Sequence, residues 1–404
     1  MVKLRLACWL GVVSIAGCVA YERDDSDAAS VAATAQRREG GAFTWGEAVA
    51  TALRQNAGLQ ALEAEARAAG AVSTPIDVDL EFPTDFIMLS AIVDPVALLG
   101  LGARGAAIDV ARAEAAAAAE RLAVARWRTI AAVTEAFVVE ASLAAIATPG
   151  IEVDATAFER AGLASPLASA QLRTANARLA AERSGIAAER DTNRARLREL
   201  LGLPADADCR FAPGDGPALD DVQHSGDTIL ARPDLALATA EFRVADAAFA
   251  LAVAEQYPSL RVGPDIPMQR GLGVVESLWQ ARIPFATAGA AEAARERREA
   301  ARARLLAAWL RADAEAVTAD RALAAARAAD DAATTALEAS TRAFAIGKAA
   351  IRVEEDAFDK VAQAAAMVAR DAMERRVAAL ARARAEVARA VALGWPASGQ
   401  GRSS

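Results

Sequence analysis

Apolar positions step by three and four residues along most of this chain, over lengths that ordinary globular helices do not reach. The longest such stretch runs through residues 289–394. No proline lies between Pro284 and Pro396, and the only glycine in its interior is Gly347. Its two arms, residues 290–346 and 348–393, would span roughly 80 Å and 70 Å as α-helices. Helices this long need a partner along their whole length. The simplest partner is the other arm, folded back at Gly347 into an antiparallel coiled-coil hairpin. The seam reads Leu305, Trp309, Ala312, Ala316, Ala319, Leu323 and Ala326 on the first arm. On the second it reads Phe358, Val361, Ala365, Val368 and Ala372, then, after a slip, Val377, Leu380, Val387 and Val391. Alanine dominates this seam. Small side chains let helices approach closely but bury little area, at about 25 cal/mol per Å². The hairpin therefore calls for further helices beside it, from this chain or from other copies.

Ahead of that hairpin the period changes twice. Thr44 and Glu47 stand at capping-box spacing and open a helix expected to run to about Ala69. In residues 75–82, Ile76, Val78, Leu80 and Phe82 alternate with Asp77, Asp79 and Glu81, the pattern of a strand with one apolar and one acidic face. Pro83-Thr84-Asp85 is a turn, and residues 86–93 form a second, more uniformly apolar strand. A long alanine-rich helix is predicted over 106–147, interrupted by Thr148-Pro149-Gly150, and another over 167–201. The stretch 205–227 is polar and rich in Pro, Gly and Asp, as a linker is. It holds His224, the only histidine, which reads as a solvated loop residue.

Then the pattern restarts. Arg232-Pro233-Asp234-Leu235 opens a helix to about Gln256, Tyr257-Pro258 breaks it, and residues 259–266 and 278–285 read as strands before the long hairpin. The chain thus repeats one unit: helix, strand pair, long helix, glycine turn, return helix. The turns match (Ala161-Gly162-Leu163 and Ile346-Gly347-Lys348). The ends match too (Leu201-Gly202-Leu203-Pro204 and Leu393-Gly394-Trp395-Pro396). A repeat of this length is a pseudo-symmetric half rather than a solenoid unit. The expected division is a signal segment 1–17, a flexible tether 18–42, a first repeat 43–204, a linker 205–231, a second repeat 232–396 and a disordered tail 397–404.

Lys3 and Arg5 precede an apolar run too short to span a bilayer, which reads as a secretory signal. It ends in Ile15-Ala16-Gly17-Cys18, which resembles a bacterial lipobox and makes Cys18 the candidate lipidation site. The alternative is an ordinary signal peptide with an incidental cysteine. With Cys8 inside the signal, Cys209 is the only other thiol, so no disulfide framework or metal cluster follows. The net charge of −8 argues against nucleic acid as a partner. No later stretch is a plausible membrane helix, so any crossing must use strands.

In order and spacing this arrangement resembles the TolC-type outer-membrane efflux channels, the outer-membrane factor lipoproteins. The likeness is carried by Trp45-Gly46-Glu47-Ala48-Val49, Ala52-Leu53 and Asn56, the two glycine turns, and Arg232-Pro233-Asp234-Leu235. Tyr257-Pro258-Ser259-Leu260, Ile283-Pro284-Phe285 and the two Gly-terminated return helices complete it. The resemblance implies a mainly α fold: long antiparallel coiled-coil helices in two pseudo-repeats, each with a β-strand pair. It implies a homotrimer in which every subunit gives four strands to one outer-membrane barrel, above a helical periplasmic tunnel. It places the glycine turns at the tunnel tip, where a periplasmic adaptor docks. That makes Gly162, Leu163, Ala164, Ser165, Gly347 and Lys348 candidate adaptor contacts, although the glycines could serve only the turn. Just beyond lie Glu354, Glu355 and Asp356, with Asp356 where the family often lines its aperture with acid. Three copies would assemble a carboxylate ring that selects cations. The same acids also suit a solvated helix start. The segment 137–162 is shorter than the family pattern, which predicts a stunted or bent first hairpin.

The function expected is a passive exit duct for small molecules or cations, working with an adaptor and an inner-membrane pump. No Ser/His/Asp set, phosphate-binding glycine loop or His/Cys metal spacing is present, so neither catalysis nor a cofactor is expected. The rival reading is a lipid-anchored periplasmic coiled-coil scaffold without a pore. The alternating strand pairs separate the two, because a scaffold has no use for them.

Overall fold

The computed structural model describes residues 28–38, 40–71, 77–81, 87–92, 102–151, 153, 155–160, 164–212, 217, 219, 226–257, 259–268, 276–282, 288–351 and 357–395. In chain order the elements are α1 (Ala28–Gln36), β1 (Ala42–Phe43), α2 (Trp45–Gln55), α3 (Ala57–Gly70), β2 (Asp77–Glu81), β3 (Ile87–Ile92), α4 (Gly102–Ala145) and α5 (Ala155–Arg160). They continue as α6 (Pro166–Leu200), β4 (Arg210–Phe211), α7 (Gly226–Leu230), α8 (Pro233–Ala254), β5 (Ser259–Met268), β6 (Glu276–Arg282), α9 (Ala288–Ala350) and α10 (Ala357–Ala392).

The four longer strands make one antiparallel sheet in the order β2-β3-β5-β6, so each half of the chain supplies one hairpin. The halves join where β3 pairs with β5, with Ile87 opposite Met268 and Ser90 opposite Asp265. Among the described residues, β2 and β6 have one neighbouring strand each.

The capping box at Thr44 is formed. The Glu47 carboxylate accepts from the Thr44 backbone N–H and hydroxyl, both at 2.9 Å, and the Glu47 N–H donates to Thr44 Oγ1. These bonds, the backbone one foremost, hold the Glu47 carboxyl below its ordinary pKa. The helix expected to run unbroken to Ala69 is instead two, because Asn56 leaves helical geometry and caps the second through Leu59 N–H.

The doubling is visible in bonding detail. Both return helices end at a glycine with positive φ, Gly202 at 66° and Gly394 at 84°. Both ends carry the same pair of bonds. Leu203 N–H donates to Arg198 O and Gly202 N–H to Glu199 O; Trp395 N–H donates to Ala390 O and Gly394 N–H to Val391 O. This is the Schellman ending, which needs the left-handed conformation that glycine adopts without strain. In each half a residue just ahead of a helix reaches the carbonyl two positions before that glycine: Asn56 Nδ2 to Leu200 O, and Arg232 Nη1 to Ala392 O. The halves are clasped by tryptophans. Trp127 Nε1 donates to Trp395 O at 2.7 Å, and the Trp45 and Trp395 rings lie 6.0 Å apart.

Several expectations are corrected. Gly347 is not the turn of the long hairpin. It lies inside α9, and the connection between the arms falls after Ile351. There, a Cβ on residue 347 would stand 2.9 Å from Val361 Cγ2, so this glycine permits a close approach of α9 to α10. With the turn so placed, the two return helices α6 and α10 match in length, at 35 and 36 residues. Trp309 and Val377, assigned to the seam, are exposed, whereas Ala312, Ala316, Leu323, Val361, Val368, Leu380 and Val387 are buried as expected. The tether contains α1, an exposed alanine-rich helix, and Arg38 after it donates to Gln55 O and Gly202 O. No described side chain of α1 is buried, and its alanines favour a helix without an apolar face to bury. The linker is partly folded as well. β4 pairs in parallel with β1, Phe211 packs edge-on against Phe137 at 5.4 Å, and Ile229 of α7 is buried with Leu393.

The first hairpin is the shorter, as the sequence predicts. Helix α4 has 44 residues against 63 in α9, about 66 Å against 95 Å. After Ala145 the chain leaves the helix, and Ile151 and Val153 pack against the core formed by α6, α9 and α10.

Candidate functional site at the tip of the two hairpins

Helix α6 starts at the same level at which α9 and α10 exchange direction. Ser165 sets this start: its Oγ accepts from Ala168 N–H at 3.1 Å, and Pro166 fills the first helical position. The same Oγ donates to Asp359 Oδ1 of α10 at 3.0 Å, so one hydroxyl ties the first hairpin to the second. Beneath it lies an apolar cluster of Ala168, Leu172, Ala175 and Leu179 from α6, Phe344 from α9, and Phe358, Val361, Ala365 and Val368 from α10. Ala164 is half-buried against this cluster, while Lys348 is exposed on the last turn of α9. Two large apolar side chains at this end, Leu167 and Ile346, point away from the core and are 69 % and 71 % exposed.

The other predicted site residues, Cys18, Gly162, Leu163, Glu354, Glu355 and Asp356, lie outside the described residues, as does His224. The three acids belong to the stretch that joins α9 to α10. The structure therefore brings Ala164, Ser165 and Asp359 together, with Gly347 against Val361 one helix away. Leu167 and Ile346 were not singled out from sequence as contacts; Ile346 adjoins Gly347, and Leu167 lies two residues after Ser165. Among the described residues no group of three or more His, Cys, Asp or Glu is placed to hold a metal ion. No described helix is long and apolar enough to cross a membrane.

Farther from the tip, arginines and acids join the helices in pairs. Glu140, 3 % exposed on α4, accepts from both Arg190 and Arg194 of α6 through one oxygen, and its second oxygen is buried without a partner. Arg376 of α10 spans Glu182 and Glu189 of α6 at 2.6 and 2.8 Å. Burial opposes the Arg376 cation, but the hydrogen bond and charge of Glu182, then Glu189, outweigh it and strengthen its hold on the proton. Arg232 is the hub of the Arg-Pro-Asp-Leu motif. It binds Asp234, Glu315 and the Ala392 carbonyl and lies over the Trp127 ring at 5.6 Å. A cation at the C-terminal carbonyls of α10 also suits the helix dipole.

The arrangement of a four-stranded sheet, two long hairpins and a doubled topology has solved counterparts. The open-state outer-membrane channel MtrE of Neisseria gonorrhoeae superposes with a TM-score of 0.67 over 87 % of this chain and 88 % of its own, at 18 % identity. The outer-membrane protein VceC of Vibrio cholerae gives 0.69 over 87 % and 96 %, at 17 % identity. The outer-membrane channel CmeC of Campylobacter jejuni gives 0.68 over 94 % and 90 %, at 14 % identity. This chain has the outer-membrane channel fold. No protein-family model and no curated protein matches its sequence. At these identities the likeness is one of architecture, and the outer-membrane channel fold here carries its own tip, with α4 shorter than α9 by about a third.

Proposed function

We propose that the chain is one subunit of a homotrimeric outer-membrane efflux duct, a passive conduit without catalytic activity. The observation that carries this reading is the sheet. Four antiparallel strands with β2 and β6 at the edges leave, among the described residues, two rows of backbone groups without a neighbouring strand in a single copy. Closing three such sheets edge to edge gives a barrel, the one sheet form that satisfies its backbone inside a bilayer. A pore-less scaffold would have no use for this sheet.

A second feature supports assembly from copies of the same chain. Leu306, Leu310 and Val317 follow one stripe of α9 and are 59 %, 53 % and 37 % exposed. Leu306 lines a groove together with Leu230, Leu235, Ala240, Leu305 and Trp309, which Glu120, Arg243, Glu299 and Arg302 also line. An apolar stripe of this extent on a water-facing helix calls for a partner, and a neighbouring subunit supplies one.

Within this reading a periplasmic adaptor docks at the tip, on Ala164, Ser165, Gly347 and Lys348 with Gly162 and Leu163. The exposed Leu167 and Ile346 supply apolar area there. Glu354, Glu355 and Asp356 form the acidic aperture, an inner-membrane pump supplies the energy, and diacylglycerol on Cys18 anchors the chain to the outer membrane. The cargo is a small molecule or a cation. The test is ion conductance of the purified, assembled protein in planar bilayers. Stepwise single-channel conductance is expected. Silence from an intact trimer would favour the lipid-anchored scaffold.

A further inference from the structure

The register of the sheet sorts its residues by charge. Asp79 pairs with Ser90, Ser90 with Asp265 and Asp265 with Glu276, which fixes the positions that share a face across all four strands. Every charged residue of these strands falls on one face: Asp77, Asp79 and Glu81 of β2, Arg261 and Asp265 of β5, and Glu276 and Arg282 of β6. The two edges of that face are unlike. β2 carries its acids opposite Ile92, Ser90 and Met88 of β3, none of them a cation. At the other edge Arg282 stands opposite Ser259, and its diagonal neighbour on β5 is Arg261. Within one sheet, then, the register gives the β2 acids no cation and Arg282 no acid.

The strands are also staggered. At the end nearer the helices in sequence, β2 and β3 stop at the paired Asp77 and Ile92, whereas β5 and β6 run on to Ser259 and Arg282. Continuing the β3–β5 register puts Gly263 level with Asp77, so the second hairpin is displaced toward that end. From β2 to β6 the strand centres descend by about one residue per strand. Tilted strands in a closed barrel require such a slant, and the step from β6 to the β2 of a second copy continues it. For three copies of a four-stranded sheet, a shift of about four residues per subunit corresponds to a tilt of about 35°. That lies at the lower end of the range for outer-membrane barrels. An odd shift is excluded, because it would carry the β2 acids to the opposite face. At the shift the stagger gives, Arg282 stands directly opposite Asp77 of the partner subunit, with Asp79 of the partner subunit diagonal to it.

We propose that copies of this chain join through that register: Arg282 at the end of β6 pairs with Asp77 of the partner subunit, on the charged face of the sheet. The pairing rests on the duct reading above and sets the height at which one sheet meets the next. The experiment uses full-length protein with Cys209→Ala. Arg282→Cys is combined in turn with Asp77→Cys, Asp79→Cys and Glu81→Cys, and a bis-thiosulfonate linker spanning about 5 Å is added. Directly opposed residues have Cβ atoms about 4.5–5.5 Å apart, and diagonal ones are about 7–8 Å apart. Each single substitution gives the background, and native mass spectrometry without linker counts trimers independently. Asp77→Cys is expected to give a covalent trimer on a non-reducing gel, Asp79→Cys about a third as much or less, and Glu81→Cys none. An intact trimer that links best through Asp79→Cys or Glu81→Cys, or through none of them, would overturn the pairing and leave the duct reading standing. A parent protein without trimers would overturn both. A charge swap checks the chemistry without a linker. Arg282→Asp should lower the trimer fraction on dilution about fivefold or more, and adding Asp77→Arg should restore most of it. A swap without recovery would overturn the pairing.

Discussion

Replacing Gly347 by alanine tests what this glycine does. In a helix interior the change should stabilise, since alanine exceeds glycine by about 1 kcal/mol in helix propensity. Here the new methyl would stand 2.9 Å from Val361 Cγ2, with the Val361 Cα at 3.7 Å behind it. Val361 is fully buried and β-branched, so it has one good rotamer in a helix and cannot swing aside. Overpacking of this kind costs about 1–3 kcal/mol, which leaves Gly347→Ala between neutral and about 2 kcal/mol destabilising. Val361→Ala alone removes two buried methyl groups, a loss of about 2 kcal/mol with the cavity included.

Combined, the two substitutions should not add. The clash is gone and the helix gain remains, giving a favourable coupling of about 1–3 kcal/mol. Native-state hydrogen exchange of the amides in residues 340–351 and 357–368 reads the local opening free energy of both arms. If Gly347 instead supplied a turn, alanine would be costly whatever stands at 361. A coupling below about 0.5 kcal/mol would refute the close-approach reasoning.

Leu310→Glu should leave the isolated fold within about 0.5 kcal/mol, since the side chain is exposed there, yet abolish trimers by placing a charge in an apolar contact; native mass spectrometry decides, and persistent trimers would move the interface elsewhere. Asp356→Asn should weaken cation preference, read as a smaller shift of reversal potential in asymmetric salt, and unchanged selectivity would remove the acid ring. Cys18→Ser should abolish incorporation of labelled fatty acid while conductance of the purified protein persists; labelling that survives the change would rule out the lipobox.

Much of the architecture was legible because it rests on devices with strong local signatures. The hairpin strands showed by alternation and the capping box by its spacing. The helix ends showed by glycine followed two residues later by proline, and Gly202 and Gly394 take the positive φ that this pattern demands. The turn between α9 and α10 was not legible. The stretch Arg352-Val353-Glu354-Glu355-Asp356 carries neither glycine nor proline, and the nearest glycine drew the assignment to itself. Trp309 fits the three-four period as well as Ala312 does, but α9 packs on α8 as well as on α10 and rotates Trp309 out of the seam. The ion pairs between helices left the faintest trace. Arginine and glutamate are scattered over every helix, and only packing reveals that Glu140 and Asp330 are buried. A sharper reading would have noticed Arg190 and Arg194 one turn apart, and the neighbours Glu189-Arg190 and Arg375-Arg376.

The two main features of these helices, alanine seams and buried ion pairs, explain one another. An alanine seam has almost no memory of register. Sliding one helix past another by a heptad sets alanine against alanine again and changes the buried area little. Leucine or isoleucine knobs would resist the slip, but they would also hold the helices apart. At Gly347 the closeness of approach leaves no room even for a methyl group. Charge resolves this conflict. A slip of one heptad would carry Asp330 away from Arg375 and Arg382, and Glu140 away from Arg190 and Arg194, leaving a buried acid unpaired at about 3–5 kcal/mol each. Burying these pairs need add little to the stability of the correct register. It is the wrong registers that they penalise, and for helices this long and thin that penalty is what the alanines leave unsupplied.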